Sequence, residues 1–392
     1  MLSKRLTTVA ICLAAITAST TQLAHAEIKI TNSDGAAYDF FGISTAISGN
    51  KAIAAASFKN NFTGSAYIFD TNTGIELHKL TAPDANANDV FGGSVDISGN
   101  FAAVGATGKH SAYLFDATTG SELHTLNASD VTPSDGFGVS VATTTNYTIV
   151  GASSSNFFTG AAYIFDNNTG NELHKLTASD GNTGDNFGQV TDISGNTAIV
   201  AAPNASAAYL FDVSSGNELF KLTASDFDPT AFSSFGRSVS ISGNVAIVGD
   251  ADNNSTGAAY LYDVNTGNEI TKLTASDGNT SHRFGSSVSI SGNYAIVGAQ
   301  NADGNVNSTG AAYVFDLSTG NEIAKLTASD GTSYQSFGDS VGIDNSTVII
   351  GAQFTHIPGN DYQGAAYIYA IPEPASLSLL AIGSLLLIKR RK

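Results

Sequence analysis

Residues 235–273, FGRSVSISGNVAIVGDADNNSTGAAYLYDVNTGNEITKL, decide the fold of this chain. The stretch contains four short apolar segments, which are Ser238–Ile241, Ala246–Gly249, Ala258–Tyr262 and Glu269–Leu273. Each segment has four or five residues, too few for a helix, and turn residues such as Gly, Asn and Asp separate them. The pattern predicts four β-strands, named A to D in chain order, that pair as an antiparallel meander.

The same pattern recurs seven times, and a Phe-Gly pair starts each copy at spacings of 46 to 53 residues. The pairs are Phe41-Gly42, Phe91-Gly92, Phe137-Gly138, Phe187-Gly188, Phe235-Gly236, Phe284-Gly285 and Phe337-Gly338. A period of this length is typical of repeat architectures, and so small a meander must stack on its neighbours to bury its apolar faces. The sequence therefore predicts an all-β fold, a seven-bladed β-propeller over residues 27–370 with four antiparallel strands per blade.

Turn chemistry supports this pairing of the strands. Ser-Gly-Asn separates strands A and B in five copies, and Gly-Asn favours a two-residue hairpin. Six copies have Asp-x-x-Thr/Ser-Gly between strands C and D, as in Asp166 to Gly170. We expect the Asp side chain to hold this turn and the Gly to adopt a left-handed backbone.

The two ends of the repeat region complement each other. The seventh copy stops after its C segment, Ala365–Tyr369, whereas residues 28–34 match the D segment and the turn that recur at Lys175–Asp180. A propeller exposes no open edge between its first and last blades when such a strand completes the last one. The sequence predicts a ring closed by the N-terminal strand in the last blade.

The repeat, Phe-Gly followed by a strand, a turn, Val-Gly-Ala and later Ala-Tyr, resembles the FG-GAP repeat of integrin α-chain propellers and of bacterial relatives. The integrin-type repeat implies an aspartate-rich calcium loop between strands A and B, but this chain has Ser-Gly-Asn there. No cofactor and no metal site is therefore expected. Calcium is left open only at looser acidic sets, which are Asp180, Asn182 and Asp185, and Asp250, Asp252 and Asn253.

Residues 1–26 have the composition of a secretory signal peptide. Lys4 and Arg5 precede an apolar stretch, and Ala24-His25-Ala26 forms a small-x-small cleavage site for signal peptidase. The single cysteine, Cys12, lies within this segment. The predicted mature protein contains no thiol, so disulfides, cysteine metal sites and a cysteine nucleophile are excluded from it.

Residues 371–392 form a distinct C-terminal segment. Pro372-Glu373-Pro374 precedes 14 mostly apolar residues and the basic cluster Lys389, Arg390, Arg391 and Lys392. This order resembles the PEP-CTERM sorting signal, which implies a short transmembrane helix, processing by an exosortase-type enzyme, and delivery to the cell surface or an exopolysaccharide matrix. A plain membrane anchor is the alternative, because a helix of about 21 Å only marginally spans the hydrocarbon core.

The predicted mature body is strongly acidic, with 11 basic and 33 acidic residues and a formal charge of −22. Nucleic acid and anionic lipid surfaces would repel such a body, so membrane contact is expected only through the C-terminal segment. Solubility accounts for this acidity as readily as cation binding does.

Variable loops are the candidate ligand site. Loops between strands B and C and between D and the next A share one face, whereas the A–B and C–D turns share the other and vary little. The aromatic candidates on the variable loops are Phe58, Phe62, Phe157, Phe158, Phe232, His356 and Tyr362. Covering the loop backbone or the central channel is an alternative role for these side chains. His78, His124 and His174 share one strand D position and are expected at the surface or rim.

Three functions compete at this point. Adhesion or matrix binding would use the loop face and have extracellular polysaccharide or surface proteins as partners. A quinoprotein-like or polysaccharide-acting propeller enzyme is the second, because the Asp-x-x-Thr-Gly turn resembles that of quinoprotein propellers. Those repeats carry tryptophan, however, which is absent here, and no nucleophile and base stand out. A passive surface coat is the third function.

Overall fold

The computed structural model describes residues 27–228, 230 and 233–371 and is a seven-bladed propeller. Each blade is one antiparallel sheet of four strands, in the order A-B-C-D for blades 1 to 6. The predicted fold class, strand number and strand order are confirmed. No helix within these described residues is long and apolar enough to cross a membrane.

The strands follow the chain blade by blade. Blade 1 contains β2 (Thr45–Ser48), β3 (Lys51–Ala56), β4 (Ser65–Asp70) and β5 (Glu76–Leu80). Blade 2 contains β6 (Phe91–Ser98), β7 (Phe101–Ala106), β8 (Ser111–Asp116) and β9 (Glu122–Leu126). Blade 3 contains β10 (Phe137–Thr143), β11 (Tyr147–Ala152), β12 (Ala161–Asp166) and β13 (Glu172–Leu176). Blade 4 contains β14 (Val190–Ser194), β15 (Thr197–Ala202), β16 (Ala207–Asp212) and β17 (Glu218–Leu222).

Blade 5 contains β18 (Ser238–Ser242), β19 (Val245–Asp250), β20 (Ala258–Asp263) and β21 (Glu269–Leu273). Blade 6 contains β22 (Phe284–Ser291), β23 (Tyr294–Ala299), β24 (Ala311–Asp316) and β25 (Asn321–Leu326). Blade 7 contains β26 (Val341–Asp344), β27 (Thr347–Ala352), β28 (Ala365–Ala370) and β1 (Glu27–Ile30). The B–C loops contain one-turn helical segments, which are α1 (Lys59–Phe62), α2 (Ser155–Phe158), Thr107–Lys109, Pro203–Ala205 and Asn253–Ser255.

Strand β1 closes the ring as predicted. It pairs antiparallel with β28, with Ile28 opposite Ile368 and Ile30 opposite Ala366. Its charged residues reach the preceding blade, since Lys29 Nζ lies 2.5 Å from Asp330 Oδ2 and the Glu27 carboxylate accepts hydrogen bonds from Ser329. The N-terminal strand therefore completes blade 7 and also joins it to blade 6.

The phenylalanine of each Phe-Gly pair is the centre of the packing between blades. Phe41 is fully buried, and its ring packs edge to face on Tyr67 and Phe69 of strand C at centroid distances of 5.8 Å. The following Gly42 has a φ of +90°, and a Cβ there would lie 2.3 Å from the Ala365 carbonyl oxygen. Glycine is required because the backbones of blades 1 and 7 approach each other at this point.

A Tyr-Asp-Lys set ties strands C and D of every blade to the loop that precedes strand A of the same blade. In blade 3 the Tyr163 hydroxyl donates to Asp130 at 2.8 Å, and Lys175 Nζ lies 2.5 Å from the same carboxylate. Burial of the tyrosine and its bond to Asp130 raise the pKa of Tyr163 well above its usual value. In blade 2, Thr125 replaces the strand D lysine, and Lys109 of the B–C loop pairs with Asp84 instead, at 2.8 Å.

Strand D carries a β-bulge in blades 1 to 6, where one extra residue interrupts the pairing with strand C. The bulged residues are exposed and apolar, and they are Leu77, Leu123, Leu173, Leu219, Ile270 and Ile323. Strand β1 of blade 7 pairs without a bulge.

Candidate functional site

The loop face is built by backbone pairing between neighbouring loops. At the junction of blades 7 and 1, the D–A loop that follows β1 runs beside the B–C loop of blade 7. The Tyr38 amide donates to the Asp361 carbonyl at 2.8 Å, and the Phe41 amide donates to the Gln363 carbonyl at 2.7 Å. Ring closure therefore brings residues from opposite ends of the chain into one surface.

Seven aromatic side chains meet at this junction and are named here the seam patch. They are Tyr38, Phe40, Phe58, Phe62, Phe354, His356 and Tyr362. Phe40 is central, with ring centroids 4.8 Å from Phe58 and 5.5 Å from Phe354. Tyr362 joins the group through Tyr38 at 5.7 Å and His356 at 4.4 Å.

Part of the seam patch faces solvent. Tyr38 is 57%, Phe62 40% and Tyr362 37% exposed, and His356 is exposed as well. Phe58 and Phe354 are half-buried beneath them. A contiguous group of exposed rings on a supporting aromatic layer is unusual for a soluble surface and is typical of interaction sites.

The backbone of the seam patch is strained. Tyr38, Phe40, Phe62 and Tyr362 all have left-handed backbone, with φ between 51° and 65°. Bulky residues seldom adopt this conformation, which costs of order 1 to 3 kcal/mol per residue. Several blades place smaller or polar residues at the positions of Tyr38 and Phe40, whereas blade 7 has Tyr334 at the Tyr38 position. The smaller or polar residues include Asn88, Gly184 and Ser281 for Tyr38, and Gly136, Asn186 and Ser336 for Phe40.

The sequence-predicted aromatics are only partly brought together. Phe58, Phe62, His356 and Tyr362 lie in the seam patch, whereas Phe157 and Phe158 lie on the B–C loop of blade 3. Phe157 is 80% and Phe158 55% exposed. Phe232 lies outside the described residues. Sequence reasoning missed Tyr38, Phe40 and Phe354, although the run Tyr38-Asp39-Phe40 before the first Phe-Gly was an available signal.

A buried lysine supports the seam patch from below. Lys59 Nζ lies 2.9 Å from Asp39 Oδ2 and donates to the Asp34 carbonyl at 2.6 Å, and the Lys59 and Asp39 side chains are almost fully buried. Burial favours a higher pKa for Asp34, but hydrogen bonds from Lys79 and Tyr67 and the charge of Lys59 lower it to about 2. These partners hold the loop bearing Tyr38 and Phe40 against α1, which bears Phe62.

The strand D histidines lie between blades. The ring of His78 approaches the Thr118 carbonyl, with Nε2 to oxygen 2.9 Å, and that of His174 approaches the Ser214 carbonyl at 3.1 Å. Each ring packs against the glycine of the next C–D turn. Among the residues that the structure describes, no group of three or more His, Cys, Asp or Glu side chains is arranged to hold a metal ion.

The acidic sets left open for calcium already have partners. Asp180 accepts a hydrogen bond from the Tyr209 hydroxyl at 2.8 Å and pairs with Lys221 at 2.5 Å. Asp250 is buried and accepts hydrogen bonds from Ser233 and Ser234. The carboxylates therefore stabilise the loops that contain them.

Strand A of every blade lines a polar central channel that contains a cavity of about 400 Å³. Side chains of one blade accept hydrogen bonds from backbone amides of the next, as when Asp96 accepts from Thr143 and Asp192 from Ile241. Burial raises the pKa of both carboxyls, with the charge of Asp192 adding to the rise at Asp96, to about 7 for Asp96 and about 6 for Asp192. These contacts link the blades at the axis.

Comparison with known proteins identifies the repeat. The family model described as FG-GAP repeat matches residues 25–69, 75–115, 121–165, 171–215, 217–262, 268–315 and 321–369. Among solved structures, the computationally designed Ika8 protein is similar, with a TM-score of 0.54 and 15% identity over 88% of this chain and 98% of that chain. At this identity the similarity concerns the fold alone. No curated protein matches the sequence.

Proposed function

The chain belongs to the FG-GAP repeat family, and from that premise we propose that it is an exported, non-catalytic propeller that binds extracellular polysaccharide through the seam patch. In this role it acts in adhesion or as a component of the extracellular matrix. The observation that carries the proposal is the mutual contact of seven aromatic side chains, four of them on left-handed backbone, at one junction of the ring.

The chemistry of the seam patch suits a sugar ligand. Pyranose rings have C–H faces that pack on aromatic rings, and hydroxyl groups that need hydrogen-bonding partners. Tyr38 and Tyr362 provide both an aromatic face and a hydroxyl. The exposed Asn60, Asn61 and Asp361 provide polar groups on the same loops. The fold does not require an aromatic residue at the position of Tyr38, because blades 2, 4 and 6 have Asn88, Gly184 and Ser281 there.

Export and surface sorting complete the proposal. Signal peptidase would remove residues 1–26, and an exosortase-type enzyme would process the segment that contains Pro372, Glu373 and Pro374. Both segments lie outside the described residues. Mass spectrometry of the native protein tests the proposal, because a mature N-terminus other than Glu27 or an intact C-terminal segment would contradict it.

The binding test uses residues that the protein itself places at matching loop positions. The variant Tyr38→Ser/Phe62→Asn/Tyr362→Asn removes the exposed rings and keeps residues that tolerate left-handed backbone. We expect wild-type protein to be retained on a glycan array and on gels that contain polysaccharide, and the variant to bind at least about tenfold more weakly.

Tyr334→Ser is the matched control. Tyr334 is 75% exposed, has a φ of 65° and occupies the position of Tyr38 in the loop before strand A of blade 7, but it makes no ring contact with the seam patch. Its substitution should leave binding unchanged. If folded wild-type protein is retained on no glycan and on no cells, the binding proposal is wrong and a passive coat is supported.

A further inference from the structure

The loop-face mouth of the central channel breaks the sevenfold repeat. The residue directly after each Phe-Gly pair occupies one repeat position at the loop-face end of strand A, and in blades 1, 6 and 7 this residue, Ile43, Ser286 or Asp339, lines the channel. Three consecutive blades have apolar or small residues there, and the next four have polar ones. The residues in order are Ile43, Gly93, Val139, Gln189, Arg237, Ser286 and Asp339. One half of the mouth is therefore specialised for polar contacts.

Both arginines of the region 27–371 lie in this polar half, on neighbouring blades. Arg237 directly precedes strand A of blade 5, and Arg283 precedes the Phe-Gly pair of blade 6. The two arginines share one loop junction: Arg283 Nε lies 3.9 Å from Asp252 Oδ1, the Asp252 amide donates to Ser234 Oγ at 3.2 Å, and the Arg237 amide donates to the Ser234 carbonyl at 2.9 Å. Their positive charges also oppose the rise that burial causes in the pKa of Asp339 in blade 7. The polar half therefore holds two guanidinium groups at the junction of blades 5 and 6.

These arginines differ from the lysines of the same region. Eight of its nine lysines form an ion pair with an aspartate. Arg237 is exposed and has no carboxylate within 4.0 Å among the described residues, and Arg283 only approaches Asp252, with Nε to Oδ1 3.9 Å. Guanidinium donors suited to bidentate bonds with a carboxylate are thus available at this mouth.

The polar half of the channel mouth, which carries Arg237 and Arg283, is followed along the ring by the seam patch. Gln353 donates a hydrogen bond to Asp339, and the next residue, Phe354, packs on Phe40. On blade 6, Gln300 occupies the loop position of Gln353, and its buried side-chain oxygen has no hydrogen-bond partner. Along the ring, the B–C loops that carry Gln300 and Gln353 therefore lie between the junction of blades 5 and 6 and the seam patch.

We propose that Arg237 and Arg283 form a carboxylate subsite and that the ligand of the seam patch is a saccharide polymer with uronic acid residues. This inference rests on the proposed function. Sugar rings pack on the seam patch, and a carboxylate further along the polymer binds the guanidinium groups. The formal charge of −22 opposes the approach of a polyanion, but its effect beyond about 8 Å is screened at physiological salt, so the local donors decide binding.

Polygalacturonate and neutral dextran are the probes, measured by surface retention at about 0.15 M salt. The test variants are Arg237→Gln and Arg283→Asn, which copy Gln189 and Asn186 at the same positions of blade 4. We expect each to weaken polygalacturonate binding about tenfold and to leave the weaker dextran binding unchanged. Lys51→Gln is the control, because it removes a positive charge beside the A–B turn on the opposite face.

The outcomes separate the two proposals. The seam variant should reduce binding of both polymers. If it reduces neither while the arginine variants weaken polygalacturonate binding, the seam proposal is wrong. If the arginine variants bind polygalacturonate like wild type, or lose dextran binding equally, the carboxylate subsite is wrong. Arginine-dependent retention of polyglutamate in place of polygalacturonate would assign the subsite to acidic protein segments, and failure of wild-type protein to bind either polysaccharide would overturn both proposals.

Discussion

Tyr38 illustrates how residue-level strain can indicate a binding role. Its ring is more than half exposed and its φ is 65°, so it contributes little burial and carries a backbone cost. We expect Tyr38→Asn to leave the free energy of unfolding unchanged or to raise it by up to about 1 kcal/mol, measured by equilibrium urea unfolding.

Phe41→Ala provides the contrast for that experiment. This ring is fully buried between blades, and its loss should cost about 3 to 5 kcal/mol. A comparable loss of stability in Tyr38→Asn would show that the seam aromatics serve the fold, and would weaken the binding proposal.

Asp96 should make stability depend on pH. Its pKa of about 7 in the folded protein exceeds the ordinary value of 3.8, so the folded state binds the proton more tightly than the unfolded state. Stability should therefore fall as pH rises from about 4 to about 7 and level off above that. We expect Asp96→Asn, which keeps an acceptor for the Thr143 amide, to stabilise the protein by about 1 to 3 kcal/mol at about pH 8 and to have little effect at about pH 4.

Thermal unfolding of wild type and variant across this pH range checks the effect. The exposed Asp361→Asn substitution controls for the loss of one negative charge on this acidic body. An Asp96→Asn variant whose stability runs parallel to that of wild type at every pH would contradict the expectation.

The role of a residue could be predicted from the sequence only where that residue recurs at the same position in most copies of the repeat. The glycine after Phe41 and the Asp of each C–D turn recur in nearly every copy, so their backbone roles could be inferred. Tyr38 and Tyr362 are far apart in sequence, and their contact depends on ring closure. The histidines resembled surface residues because the sequence does not show that strand D of one blade lies under the C–D turn of the next.

At the scale of elements, β1 should contribute heavily to stability. Ile30 is 2% exposed and packs with Phe41 and Tyr67 in the core next to the closure. We expect Ile30→Ala to lower the free energy of unfolding by about 2 to 4 kcal/mol, measured by urea unfolding. The half-buried Ile28→Ala should cost clearly less. If both substitutions lowered the free energy of unfolding by the same small amount, strand β1 would contribute little to the stability of the closed ring.

In blade 2, Lys109 of the B–C loop takes the place of the strand D lysine as the partner of Asp84, and this difference allows a rescue experiment. Lys109→Ala should lower the stability slightly, because Asp84 loses its partner at a partly exposed site. Adding Thr125→Lys should restore that stability, since strand D supplies this lysine in the other blades, as Lys175 does in blade 3. Thermal unfolding of the single and double variants measures the coupling, and additive losses would contradict it.

The strand D bulges show the limit of reading elements from a pattern. The repeat predicted a short strand D in each of the first six copies, and at Glu76–Leu80 the structure inserts Leu77 as an extra residue. Strand D is the outer edge of each sheet, and a bulge interrupts the row of backbone groups that another chain could pair with. The sequence shows residue types at this edge but not the local register.

At the scale of the whole molecule, the fold was predictable because the same four-stranded unit recurs seven times in the sequence. A single meander is ambiguous, but seven Phe-Gly pairs, the recurring turns and one missing D strand leave few arrangements consistent with all of them. The candidate site was less predictable, because it depends on differences between copies and on which copies become neighbours. Phe157 and Phe158 met the same sequence criteria as Phe58 and Phe62 yet lie apart from the seam.

The direction of β28 places the last described residues and the aromatic rings on opposite faces of the propeller. This strand starts at the B–C loop beside the seam patch and ends at Ala370, where the Ile371 amide donates to the carbonyl of Ser346 in an A–B turn. The polypeptide thus departs from the side opposite the aromatic rings. If the carboxyl end were attached to a surface, as the proposed sorting implies, the aromatic rings would lie on the propeller face away from the attachment point and would be accessible to polymers in the surroundings.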